Sequence, residues 1–211
     1  MKIEGEYLFN GPREEVWIIV RDPEALATAL PGTKSLELVG EKEYVGEMNV
    51  RIGPVAGLFS GRILVSNEVP PESCTLTVEG KGGPGFLNGA GNVVLYDQGD
   101  GTTLMKYDGD VQVGGKLASV GQRLLDTASK SIIRQGLEAL NMALQARVAA
   151  KAGQSDADYK PPSESKFMAA VVKDMAGQIL SSRTVWVAIA VIIILAIVIG
   201  ILISKGTGGL K

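Results

Sequence analysis

Apolar and polar residues alternate from the start of the chain, with Ile3, Gly5, Tyr7 and Phe9 set against Glu4 and Glu6, which predicts a first strand ended by Gly11–Pro12. Residues 13–21 change to helical spacing, and Asp22–Pro23 opens a second short helix that Pro31–Gly32 stops. Alternation returns in runs at 33–40, 43–53, 57–69, 73–80, 86–97 and 102–113, separated by Gly- and Pro-rich turns, the spacing of an antiparallel meander. One long helical pattern then runs from Lys116 to about Ala149, entered through Gly114–Gly115. Seven strands with one apolar face need a cover, and only this last helix has the length. The expected fold is therefore α+β, a seven-stranded antiparallel sheet curled around a long C-terminal helix, over residues 1–149.

Around that helix the large residues Leu117, Leu124 and Ile132 are interspersed with the small Gly121, Ala128 and Gly136. Two packings are open. Large sheet residues such as Phe59, Phe86, Leu87, Leu95, Met105 and Tyr107 fill the space and the domain is solid. Alternatively, bends at Gly53, Gly57, Gly61, Gly89 and Gly91 open an apolar cavity. The candidate wall is then Phe59, Phe86, Leu95 and Tyr107 from the sheet, with Leu117, Gly121, Leu124, Ala128, Ile132 and Gly136 from the helix.

Behind the domain the pattern changes twice. Residues 150–162 are polar and contain Pro161–Pro162, which predicts a hydrated linker. Residues 163–182 place Phe167, Met168, Val171, Val172, Met175 and Ile179 at helical spacing, an amphipathic helix suited to a membrane interface or to packing on the domain or a partner. Between Val185 and Ile203 no charge occurs in 19 residues, about 28 Å of helix against a hydrocarbon core of ~30 Å. A transmembrane helix is expected over 184–204, with a short tail at 205–211. This segment lifts the mean hydropathy of the 211-residue chain to +0.18. With no basic and apolar leader at Met1–Glu6, the expected topology is a single-pass protein of the cell membrane with its main domain in the cytoplasm.

Charge and chemistry narrow the function. Residues 1–150 carry 14 Lys and Arg against 19 Asp and Glu, which leaves no basic face for a nucleic-acid backbone. The absence of His removes the usual general base and metal ligand. Cys74 lies in an alternating apolar run and is expected to face the core. The acidic pairs Glu4/Glu6, Glu41/Glu43 and Asp108/Asp110 each share a strand face, which predicts solvated surface. Gly80–Gly85 matches G-x-G-x-x-G, but residues from Phe86 onward alternate as a strand where a dinucleotide site needs a helix. No catalytic residue, metal site or tightly bound cofactor is expected.

Four segments carry a resemblance: Leu30-Pro31-Gly32-Thr33-Lys34-Ser35-Leu36, Ile52-Gly53-Pro54-Val55, Gly80-Lys81-Gly82-Gly83 with Gly85-Phe86, and Val111 to Ala118 with Gly121 to Asp126. In this order and spacing the chain resembles the CoxG family of carbon monoxide dehydrogenase subunits over residues 1 to about 147. The resemblance implies the START/Bet v 1-like helix-grip fold with a ligand cavity. It also implies partnership with aerobic molybdenum-copper carbon monoxide dehydrogenases or related molybdenum hydroxylases at the membrane. The function expected is a non-catalytic, membrane-anchored accessory protein that recruits such an enzyme, its cavity taking a lipidic electron acceptor such as a quinone. The alternatives are a helix-grip enzyme and a general lipid carrier acting on an apolar small molecule.

Overall fold

The computed structural model describes residues 1–30 and 32–151. Strand β1 (Lys2–Phe9) leads into helices α1 (Arg13–Ile19) and α2 (Pro23–Ala29). Six strands follow, β2 (Thr33–Val39), β3 (Glu43–Ile52), β4 (Val55–Val69), β5 (Ser73–Gly82), β6 (Gly85–Asp97) and β7 (Thr103–Gly115), then a short 3-10 turn (Ala118–Val120) and α3 (Gln122–Lys151). The sheet order is β1-β7-β6-β5-β4-β3-β2, all antiparallel, so each consecutive pair from β2 to β7 is a hairpin and β1 returns to close on β7. The seven strands and the long covering helix are those the alternation predicts.

Local chemistry sets the boundaries. Asp22 caps α2 by accepting hydrogen bonds from the backbone N–H groups of Glu24 at 3.0 Å and Ala25 at 3.3 Å, with Pro23 in the first helical position. Pro12 takes the N-cap of α1 rather than its first turn. The last helix begins at Gln122 instead of Lys116, because Gly121 at φ +90° breaks the chain direction between the 3-10 turn and α3. It runs through Lys151, two residues past the expected end of the domain.

The inner face of the sheet carries glycines at positions where a side chain would run into the facing strand. Gly91 pairs with Gly109 across β6 and β7, and a methyl group on either would lie 2.6–2.7 Å from a backbone oxygen of the facing strand. The core fills one end of this inner face. Phe9, Val16, Trp17, Ile19, Leu95 and Met105 pack with Ala139, Leu140 and Leu144 of the second half of α3. The Thr103 hydroxyl donates to the Gly11 carbonyl at 2.8 Å in the same buried layer. Glu15 of α1 accepts from Lys151 at 2.6 Å and lies 3.3 Å from Arg147, which clips the end of α3 to the first helix. Among the described residues no helix is long and apolar enough to cross a membrane. The linker beyond Lys151, the amphipathic helix at 163–182, the span at 184–204 and the tail at 205–211 lie outside the described residues.

Candidate functional site

The first half of α3 is not packed as the second half is. Between its residues Leu125, Ser129, Ile132 and Ile133 and the inner face of the sheet lies a cavity of about 500 Å³. Strand alternation supplies the opposite wall: Met48, Val50 and Ile52 from β3, Phe59 from β4, Leu76 and Val78 from β5, Leu87 and Val93 from β6, and Tyr107, Val111 and Val113 from β7. The domain is thus solid at one end and hollow at the other, with the change near Gly136. Both packings foreseen for the sequence occur, one at each end of α3.

The polar side chains at this wall are few. The Tyr107 ring lies across Gly5, its partner on β1, in the space a methyl group there would need. Burial pushes the Tyr107 phenol above its ordinary range, so it stays neutral near physiological pH. Ser129 adds one hydroxyl from α3. Asn92 and Asp108 contribute backbone to the wall, but their side chains take the outer face, where Asn92 accepts from Thr75 at 3.1 Å and Asp108 is exposed. A wall of this kind excludes water and holds an apolar molecule, with two neutral hydroxyls to orient a polar end.

Of the ten candidate wall residues, Phe59, Tyr107, Leu117 and Ile132 line the cavity. The other six do not. Phe86 has the opposite parity to Leu87 and stands on the outer face, 45% exposed, with its ring over Gly114. Leu95 has the inner parity but lies at the solid end, 2% exposed. Gly121 is the link before α3, and Leu124 covers the β3–β4 turn, where a methyl group at Gly53 would meet its Cδ2 at 3.0 Å. Ala128 is fully buried outside the cavity wall, and Gly136 faces Leu30 after α2 rather than the sheet. The residues missed, such as Val78, Leu87 and Val113, share strand parity with Phe59 and Tyr107. Parity was the signal that would have found them, where side-chain size was not.

The other motifs fall where alternation puts them. Glu4 and Glu6 are exposed and pair with Lys2 at 3.0 Å and Lys106 at 3.7 Å. Gly82 and Gly85 close a two-residue hairpin at Gly83–Pro84, and β6 follows it directly, so no helix meets this glycine run. Cys74 packs beside the core, and burial, followed by the nearby Glu68 carboxylate, raises its thiol pKa. Its alkylation by iodoacetamide near neutral pH is expected to run about tenfold slower than that of a cysteine peptide and to recover on unfolding. Equal rates in the folded and unfolded protein would show an accessible thiolate instead. Among the described residues no group of three or more Cys, Asp or Glu is gathered as for a metal ion.

Residues 5–145 match the family model of CoxG, a carbon monoxide dehydrogenase subunit. Among curated proteins none is similar enough in sequence to count as a relative. The crystal structure of a conserved protein from Geobacillus kaustophilus is 34% identical with a TM-score of 0.66, over 69% of this chain and 95% of that one. At 14% identity, the aromatase/cyclase ZhuI from Streptomyces sp. R1128 aligns with a TM-score of 0.54, over 72% of this chain and 97% of that one. At 16% identity, a START superfamily protein from Mycobacterium smegmatis aligns with a TM-score of 0.53, over 68% and 97%. These last two share the fold.

Proposed function

Since the chain belongs to the CoxG family of carbon monoxide dehydrogenase subunits, we propose that it is a non-catalytic accessory protein of a molybdenum hydroxylase, most simply an aerobic carbon monoxide dehydrogenase. In this reading the domain carries an apolar small molecule, a quinone or similar lipidic electron acceptor, between the membrane and the enzyme. The observation that carries it is the cavity of about 500 Å³, within the range of small-molecule sites and walled mainly by Val, Leu, Ile, Met and Phe. An enzyme that oxidises its substrate must pass electrons on, and an acceptor that dissolves in lipid needs a dry container to leave the bilayer. The side chains facing the cavity carry no charge, so they offer a ligand water exclusion rather than proton transfer. A cyclase-type activity, as the name of the Streptomyces neighbour would suggest, draws no support from that wall.

The experiment is native mass spectrometry of residues 1–151 after addition of a short-chain quinone from ethanol. One-to-one binding is expected, and absence of any apolar adduct would remove the carrier role.

The anchor belongs to the same proposal, and its support is the uncharged 19-residue run Val185–Ile203, in which Ile, Val and Leu each favour insertion by roughly 0.3–0.6 kcal/mol. Deleting residues 184–211 is expected to move the protein from the membrane to the soluble fraction with its circular dichroism spectrum retained. Recovery of the truncated protein in membranes would shift the anchor to residues 163–182. Genetic removal of the partner hydroxylase should leave the full chain in the membrane, whereas loss of this chain should release the enzyme.

A further inference from the structure

Charge on the domain is separated end to end. The β3–β4 turn, the β5–β6 turn and the β7–α3 connection meet at one end, where the Leu117 N–H donates to the Pro84 carbonyl at 2.9 Å and Leu124 covers Gly53. Arg51, Lys81, Lys116 and Arg123 stand on these three segments, all exposed, and among the described residues none of the four forms an ion pair. The carboxylates nearest them in sequence are engaged with other groups, Glu79 accepting from Arg62 at 3.0 Å and Asp126 from Gln122 at 3.0 Å. At the opposite end stand Glu14, Glu24, Glu41, Glu72, Asp97 and Asp100, on α1, α2 and the strand ends and turns, and the cations there, Arg13, Arg21 and Lys42, are paired with Glu72 and Glu68. Arg123 sits in the first turn of α3, which has no acidic residue although the helix dipole favours one there.

The cavity extends toward this end, where Ile52 before the β3–β4 turn and Leu117 after β7, both buried, line its wall. Beside the cations lie two half-exposed apolar side chains: Phe86, which pairs with Lys81, and Leu58 on the outer face of β4. We propose that this end is a docking face for an anionic lipid bilayer, and that the cavity is filled through it, between the four cations. A protein partner would need acids at fixed places, whereas cations on three separate turns meet a continuous anionic surface in any rotation about the long axis. Flanking apolar side chains suit the headgroup boundary. The domain as a whole is acidic, so attraction is confined to one orientation, with this end toward the lipid. The inference deepens the carrier reading by naming the surface through which the cavity is filled.

The test uses residues 1–151, a length that folds by itself in the Geobacillus relative, whose chain is covered over 95% of its length. Flotation is measured with phosphatidylcholine vesicles containing none or about 30 mol% phosphatidylglycerol. Binding is expected only to the anionic vesicles and is expected to vanish near 0.5 M salt, where the screening length falls to roughly 4 Å. The fourfold variant Arg51→Gln/Lys81→Gln/Lys116→Gln/Arg123→Gln is expected to lose about fivefold per cation, on the order of several hundredfold. The control Lys34→Gln/Lys42→Gln/Arg62→Gln/Lys106→Gln removes equal charge elsewhere and is expected to retain binding. Equal binding to both vesicle types, or equal loss in the two variants, would overturn the docking face. Quinone loading from ethanol, which bypasses the bilayer, separates the two readings. Normal loading with charge-indifferent vesicle binding sinks the docking face alone, and charge-dependent docking without loading sinks the carrier role alone.

Discussion

Replacing Phe9 by alanine is expected to lower the stability of the domain by about 3–5 kcal/mol, the range for truncating a fully buried phenylalanine. Phe9 has no exposed surface and meets the Tyr7 ring edge-on at a centroid distance of 4.9 Å. It belongs to the cluster that joins β1 to α1 and to the second half of α3, so the void left by the ring has rigid neighbours on several sides. The same truncation at Phe86 is expected to cost about 0.5 kcal/mol or less, because that ring stands on the outer face against Gly114. Urea unfolding of the two variants gives both numbers. Similar costs would contradict the placement of one ring in the solid end and the other outside it.

A pair of insertions into α3 separates its two halves in the opposite sense. At Gly136 even a methyl group would lie 3.1 Å from Leu30 Cδ2, so Gly136→Phe is expected to overpack and destabilise by about 1–3 kcal/mol. Ser129 borders the cavity, and Ser129→Phe is expected to hold or raise the melting temperature while weakening quinone binding by about tenfold or more through steric exclusion. Thermal unfolding and native mass spectrometry on both variants read the two effects. A destabilised Ser129→Phe with undiminished binding would mean that the ligand sits elsewhere.

The alternation of Ile3, Tyr7 and Phe9, the glycine- and proline-marked turns and the long apolar helix made the seven strands, the meander from β2 to β7 and the cover legible in the sequence, but not the pairing of β1 with β7. These are local signals with periods of two and 3.6 residues. The site was legible only in part, because two rules were needed together. Size singled out Phe59 and Tyr107, which line the cavity, but also Phe86 and Leu95, which differ from them in parity or in position along the strand. A helix position is harder still. Ala128, Ile132 and Gly136 recur along one side of α3, yet only Ile132 meets the cavity: Ala128 is buried within the hollow half but outside the wall, and Gly136 packs against Leu30 where the solid end begins. That division depends on α1 and α2 filling one end of the curl, a tertiary fact with no periodic trace. The cations at the hollow end come from three segments distant in sequence, and only the folded turns gather them.

The pairing of β1 with β7 has a kinetic consequence. Every strand from β2 to β7 meets its neighbour through a hairpin, so those contacts close short loops and form early in a search. Lys2, by contrast, pairs with Asp110, and the amine of Met1 donates to the carbonyl of Val111 at 2.7 Å, 110 residues away in sequence. During synthesis β1 emerges first and waits unpaired until β7 has left the ribosome, with its apolar residues Tyr7 and Phe9 uncovered. Folding of this domain therefore completes by a long loop closure that seals the sheet edge at the same moment as the core around Phe9.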